Sequence, residues 1–535
     1  MRCCVAEKHK NWCNDVEILV EHEGQTYCIF HAPMECEEKL ERWDNELVFS
    51  RIEGAKRASK ECNLAGTIFP QEITFEQFDE NNPLPATNFS KAAFSEIVNF
   101  IYAAFSKSAD FENAVFSEVA NFEHAVFSEV ANFEHATFSE TANFEGATFS
   151  EIVHFDNAAF SGIADFKETK FSEVTNFDGA TFSENTHFDT ANFYGTAHFD
   201  KAIFSATAYF LNTNFFKSAD FDNAIFSQDA NFMHTDFSQK AYFRKTTFSE
   251  NAEFYNITFS MEANFYNARF EGKGKFHSTK FANAYFHFAN FEQPTFFVQS
   301  RFSAGAFKGC YVGSRLEFDR ADLRGLSLLG APIESFRFIS CQWPKSDSRN
   351  IVYDARKVED KGYFEINNMA NVEKFRSAEK APEPIHIEDL FRRLKKGAKN
   401  ENDEMMASDW HYNEKEMQRL RLKQGDGATK CAGRWQSFFL CLMVSAYKQF
   451  SGYGGKPLRA FLWLLAFALL PAMAEPPLDF SIFPGRMLYY LPLVKAKPPI
   501  DAFGTLAHLW MISWQLLITV QAALFGFALR NKFRR

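Results

Sequence analysis

Phenylalanine falls at 89, 94, 100, 105, 111, 116, 122, 127, 133 and 138, and the series runs on to 276 and 281. The spacing alternates between five and six. The unit is therefore eleven residues, as in Ala120-Asn121-Phe122-Glu123-His124-Ala125-Val126-Phe127-Ser128-Glu129-Val130. Self-similarity at a short fixed period marks a solenoid and outranks any local reading. The chain has 66 Phe in 535 residues against 16 Tyr and 8 Trp, so fixed positions require Phe and not aromatics in general. Apolar residues at 46% and charged residues at 23% exclude a mainly disordered chain.

Two residues before each Phe stands a small or β-branched residue, usually alanine, as at Ala109, Ala114, Ala120, Ala125, Ala131 and Ala136. Positions two apart share one face of an extended chain, so Phe and the small residue point inward together. Asn, Glu, Ser and His between them point out. A helix with an eleven-residue supercoil is excluded, because Asn, Thr and Val form helices poorly and Ala-x-Phe is a period of two. The pentads Ala-Asp-Phe-Glu-Asn (109–113) and Ala-Asn-Phe-Glu-His (120–124) resemble the pentapeptide-repeat family, whose motif reads Ala-(Asp/Asn)-(Leu/Phe)-x-x. The resemblance covers roughly 63–340. It implies a mainly β fold: a right-handed, four-sided (quadrilateral) β-helix with one pentad per side. The sixth residue in every second pentad departs from the motif and predicts a widened corner and about 22 residues per coil. Coils stacked at the interstrand distance make the regular part about 43 Å long. Weaker pentads flank it, with Phe69 and Phe75 before and Phe302, Phe307, Phe318, Leu323, Leu328, Ile333 and Phe338 after.

Five cysteines lie in residues 1–36: Cys3, Cys4, Cys13, Cys28 and Cys36. No apolar signal segment precedes them, so metal binding is a better reading than disulfides. In Tyr27-Cys28-Ile29-Phe30-His31 one turn can present thiolate and imidazole to a single ion, a donor set that suits zinc. Cys4, Cys13, Cys28 and His31 form the expected closed site. Cys3 is the alternative to Cys4, Cys36 is another sulfur in reach, and plain reduced cysteines are the bland alternative. The stretch also resembles short Cys/His knuckles at the front of some pentapeptide-repeat proteins. Residues 37–62, with Leu40, Trp43, Leu47 and Ile52 among charges, read as one amphipathic helix that caps the strand edge of the β-helix.

The β-helix is expected over 63–342 and a linker over 343–384. A helical pair is expected over 385–433, turning near Gly397 and Asn400 and ending at Gly425-Asp426-Gly427. Residues 434–535 read as a membrane domain: an interfacial helix at 436–447, then spans at about 458–475 and 508–529. The loop between them, with Met487–Leu491, is expected to dip back as a short half-helix. Lys448, Lys456 and Arg459 precede the first span, and Arg530, Lys532, Arg534 and Arg535 follow the second, which predicts both ends cytoplasmic. Ser451-Gly452-Tyr453-Gly454-Gly455-Lys456-Pro457 and the basic finish resemble membrane-anchored pentapeptide-repeat proteins, some of which carry a pore module. That resemblance implies a bacterial inner-membrane protein. Gly452-Tyr453-Gly454 lies before the first span, where a carbonyl filter cannot sit at a pore axis, so it reads as a turn.

Net charge is −13 over residues 86–285 and +11 over 390–535. The overall −11 excludes bulk binding of nucleic acid. No phosphate-cradling loop, metalloprotease pair or nucleophile elbow is found. The expected function is a non-enzymatic membrane-tethered scaffold, with membrane lipid and a protein on the acidic face as partners and homo-oligomers through the hairpin. A pore lined by Gln515 and Gln521, and DNA mimicry toward a topoisomerase, are the rival readings.

Overall fold

The computed structural model describes residues 3–9, 12–346, 348–359, 382–424, 434–473, 487–488, 490–492 and 505–533. The chain divides into two units, Met1–Gln342 and Trp343–Arg535.

In the first unit, strands mostly two residues long recur every five or six residues. From Cys62 on, these strands pair in parallel with the strand one coil on, as Ala109 does with Ala131 and Phe116 with Phe138. That register is the expected 22 residues. The strands stack into sheets that include one of twelve and one of thirteen strands, about thirteen coils in all. The Phe rings are fully buried and ladder up the rod: Phe122 lies parallel to Phe144 at 4.8 Å, and Phe116 to Phe138 at 4.7 Å. Rings across the interior meet edge to face, Phe122 and Phe133 at 5.5 Å. Both arrangements suit the aromatic quadrupole. Where Thr replaces the inward Ala, its hydroxyl donates to a main-chain carbonyl, as Thr169 does to Phe144 at 2.8 Å. Thr67, in the first coil, is the exception: its hydroxyl is buried without a partner.

The two kinds of corner have different chemistry. In the five-residue corner Ala125 N donates to Phe122 O at 3.0 Å, and His124 between them is left-handed at φ 54°. Such residues recur every eleven positions, at Lys91, Tyr102, Asn113, His124, His135 and onward to Ser278, then every ten or eleven to Ser340, with Gly at 146, 179, 309 and 330. The Asn or Asp before Phe fixes this turn: Asn121 Oδ1 accepts from Glu123 N at 3.0 Å, and Asn143 Oδ1 from Glu145 N at 3.0 Å. This is the physical content of the motif's second position. The six-residue corner is the wide one, without a left-handed residue.

Coil length changes along the rod. Cys62 pairs with Thr87, a step of 25 residues that absorbs an insertion at Asp79–Pro83. The step is 22 through Thr258 and Lys280, then 21 from Glu262 and Asn283, and 20 where Leu316 meets Phe336. Wide corners are lost one at a time, as between Phe281 and Phe286.

The expected single helix over 37–62 is two, α1 (Glu37–Arg42) and α2 (Asn45–Ala58). Trp43 is extended between them, and Asp44 caps α2 by accepting from Glu46 N at 3.0 Å. Asp is a strong helix starter, and it breaks the run.

In the second unit the expected linker opens with a small hairpin, Lys345–Ser346 against Arg349–Asn350, followed by α3 (Tyr353–Glu359). The hairpin is held on α5 (Glu404–Gln424), where Arg349 meets Asp409 at 3.1 Å. Residues 360–381 lie outside the described residues. Helix α4 (Pro384–Asn400) runs antiparallel to α5, with Glu388 on Arg421 and Lys395 on Glu414. Their turn is at 401–403, and Gly397 stays helical. The expected end at 425–427 lies outside the described residues. Helices α6 (Arg434–Ser451), α7 (Pro457–Met473) and α8 (Thr505–Phe533) follow. α7 and α8 are antiparallel: Phe461 packs on Phe525 at 5.3 Å and Phe467 on Trp514 at 6.2 Å. Tyr490 is buried against Phe467 and Ile518, so the piece of the expected half-helix that is described does fold back on the pair. Among the described residues one helix, over Leu509–Arg530, is long and apolar enough to cross a membrane. α7 has 17 residues and is shorter than such a span.

Candidate metal centre and outward columns

Residues 19–28 form a hairpin, Leu19–His22 against Gln25–Cys28. Its turn, Glu23-Gly24, has positive φ at both residues, 49° and 75°, the geometry that matches strand twist. The chain then closes a tight knuckle, with His31 N and Ala32 N both donating to Cys28 O at 3.0 and 3.1 Å. That knuckle brings the Cys28 thiol and the His31 ring together, Sγ to Nδ1 at 3.1 Å. A 3-10 turn at Trp12–Asp15 adds Cys13.

The fourth member is Cys3. The ligand atoms of Cys3, Cys13, Cys28 and His31 lie within 4.8 Å of one another, and all four residues are buried. Cys4 is exposed and outside the group. Adjacent side chains diverge, and the bond from Cys4 N to Thr26 O at 2.8 Å decides which of the two faces inward. Cys36 is also outside: it precedes α1, with its sulfur 3.9 Å from Glu21 O.

The group fits a tetrahedral ion. Zinc–sulfur bonds of ~2.3 Å place ligand sulfurs ~3.8 Å apart, inside the 4.8 Å that bounds the group. His31 Nε2 lies 3.0 Å from Ala65 O. A carbonyl can only accept, so Nε2 carries the proton and Nδ1 presents its lone pair to the sulfurs. With no cation, three close thiols cannot all ionise. Burial, then the charge at Cys3, pushes Cys13 up to about 11. A hydrogen bond to Cys3, then burial, pushes Cys28 up. Hydrogen bonds from Cys28 and His31 outweigh burial and push Cys3 down. A bound cation would relieve that repulsion by stabilising every thiolate at once.

The knuckle sits on the first coil. Trp12 Nε1 donates to Ala65 O at 2.9 Å, and Ile68 N donates to Phe30 O at 2.8 Å. An edge amide of the solenoid is thereby satisfied. Aromatic contacts continue the Phe ladder outward: Phe69 to Trp43 at 5.8 Å, Trp43 to Phe30 at 5.9 Å, Phe30 to Trp12 at 5.6 Å. Lys39 is buried beneath, donating to Ala32 O at 2.7 Å.

The 22-residue register also sorts the outward side chains. Main-chain bonds link Asn113 to Glu134, His135 to Asp156, Asn157 to Asp178, Gly179 to Asp200 and Lys201 to Asp222. One corner therefore carries an unbroken column of carboxylates, Glu112, Glu134, Asp156, Asp178, Asp200 and Asp222, ended by an ion pair with Arg244. The opposite corner runs Glu145, Lys167, Asp189, Leu211, Met233 and Tyr255. Beside the acidic column stand His154, His198 and Asp220. Burial, then Asp222, raises the Asp220 carboxyl to about 6. Burial also raises Asp178. Reading every twenty-second residue would have found this column in the sequence. His124 and His135 do not stack on each other. They occupy opposite corners, and His124 stacks on Tyr102 at 5.1 Å.

Five overlapping stretches, 111–159, 122–170, 155–203, 188–236 and 221–269, match the family model for pentapeptide repeats in nine copies. The coil geometry and this match define the class: a pentapeptide-repeat protein built on a β-solenoid. No curated protein matches the chain.

Proposed function

We propose that this protein is a non-enzymatic scaffold, tethered to a membrane by its α7–α8 hairpin, whose solenoid offers the Glu112–Asp222 column to a partner protein with a basic surface. The observation that carries the reading is the column itself. Stacked at ~4.8 Å on a rigid corner, these carboxylates concentrate negative charge even with Asp222 paired to Arg244 and Asp200 to Lys201. Apolar side chains left bare on both hairpin helices support the tether: Leu458 is 71% exposed and Leu516 65%. Such a surface is unusual in water and ordinary in lipid. In this reading α8 spans the plasma membrane, α7, at 17 residues, crosses beside it at the lower limit of span length, and both ends are cytoplasmic. Zinc at Cys3, Cys13, Cys28 and His31 is structural, closing the cap on the first coil.

The Gln521 amide favours a tether over a pore. Gln521 is buried and donates to Ala460 O at 2.7 Å, so it joins the two helices. The test is photo-crosslinking in native membranes, with the probe at Asp156 or at Met233 on the opposite corner. Adducts from Asp156 alone, abolished by Glu134→Lys with Asp178→Lys, are expected. Equal adducts from both corners, or none, would refute the acidic column as the docking side.

A further inference from the structure

The Gly-Tyr-Gly stretch ahead of α7 is neither filter nor slack. Ser451, Gly452, Tyr453 and Gly454 are buried. Gly454 N donates to Ser451 Oγ at 3.0 Å, Lys456 N to Ser451 O at 3.1 Å, and the Tyr453 hydroxyl to Glu416 at 3.2 Å. Gly452 is left-handed at φ 57°, and a Cβ there would stand 3.1 Å from the Lys456 stem. The turn therefore holds Lys456 at the head of α7, beside an open cavity of about 860 Å³ along the outer face of that helix.

The lining has two chemistries. Lys456 and Arg459 stand at one end, and Leu458, Leu462, Trp463 and Ala466 continue along the helix. Neither cation has a carboxylate partner among the described residues. Lys448, one turn before the loop, is paired with Glu416 at 2.9 Å. A third exposed cation, Arg530, lies at the same end of the hairpin, beside Phe527, which packs on Gly454. From Pro457 to Ala466 a helix rises ~14 Å, about the depth of one leaflet's hydrocarbon.

We infer that this cavity binds one anionic glycerophospholipid, its phosphate between Lys456 and Arg459 and its acyl chains along Leu462, Trp463 and Ala466. The inference rests on the membrane reading above. A free phosphate would satisfy the cations and leave the apolar wall bare. A zwitterionic lipid would bring its own ammonium against two unpaired cations. The anionic lipid matches both ends of the site.

The test uses the full chain reconstituted in phosphatidylcholine vesicles with and without phosphatidylglycerol. Carbonate extraction first reports whether it stays in the membrane, and native mass spectrometry after detergent release then counts retained lipids. One retained phosphatidylglycerol is expected, held about thirtyfold more weakly when Lys456→Gln is combined with Arg459→Gln. The pair Lys456→Arg with Arg459→Lys should keep it, and soluble glycerol phosphate should not displace it. Three results would overturn the site while leaving the tether standing: an inserted protein that retains both lipids equally, undiminished retention by the glutamine pair, or displacement by glycerol phosphate. Extraction of the wild-type chain by carbonate would overturn the tether, and this inference with it.

Discussion

The two units solve opposite packing problems. The solenoid hides its five-and-six Phe series completely and shows water mostly Asn, Glu, Ser and Asp, with scattered apolar residues such as Tyr102, Ile163 and Phe288 among them. The last three helices leave Leu442, Met443, Leu458, Leu462, Leu509, Ile512 and Leu516 bare and bury Gln521. In the first unit the hydrophobic effect is the organising force, and one contact repeated along the axis carries it. In the last three helices these apolar side chains face outward and Gln521 inward, the arrangement that the proposed tether requires. The same apolar content thus has different meanings according to which way it faces.

That contrast can be broken at several points. Metal removal is expected to have the largest effect. A chelator under reducing conditions, or Cys28→Ser, should unfold residues 3–36 and expose the Ile68 amide, while α4–α5 keep their protection. Hydrogen exchange reads both, and metal analysis should find one zinc per chain before treatment. Phe144→Ala comes next. Phe144 lies between Phe122 at 4.8 Å and Phe166 at 5.0 Å, and removing the ring should cost about 3–5 kcal/mol in denaturant unfolding of the solenoid alone. Leu516→Asp should do the reverse. It should weaken membrane insertion by about 3 kcal/mol and leave solenoid unfolding untouched, measured by carbonate extraction beside the denaturant curve.

Smaller effects sharpen the picture. Asp220 has its carboxyl raised to about 6 by burial and by Asp222. Between pH 4 and 6 the folded chain holds a proton there that the unfolded chain has released. Stability should therefore fall as pH rises through that window, by about 1–2 kcal/mol once solvent screening is allowed for. Asp220→Asn should flatten that part of the stability–pH curve. Asn143→Ala removes the acceptor for Glu145 N at 3.0 Å and should cost about 1 kcal/mol, read as a small shift in the unfolding midpoint.

Much of the rod was legible because its repeat is the contact. Ala-x-Phe at a spacing of two states which way side chains point, and five plus six states the coil length before any coordinate is seen. The first and last coils were harder to read, because a lost residue such as the one between Phe281 and Phe286 looks like ordinary variation until strands are paired. Three members of the buried Cys/His group, Cys13, Cys28 and His31, were legible in the sequence. Cys3 against Cys4 was not, because a single main-chain bond to Thr26 makes that choice. The break at Trp43-Asp44 was available from the capping preference of Asp. The burial of Gln521 and the firmness of the Gly452-Tyr453-Gly454 turn depend on partners far along the chain, Ala460 and Glu416, which no local pattern names.

The drift in coil length has a consequence for growth. A parallel solenoid is open at both ends and, with equal coils, is its own template: a second copy could extend it as the next coil does. Here a coil of 25 residues stands at one end and a coil of 20 at the other. Two such ends laid together match in strand direction but not in perimeter. Corners would fall out of step within a single turn. The knuckle already covers the first coil, and the mismatch in coil length adds a second obstacle to head-to-tail fibres.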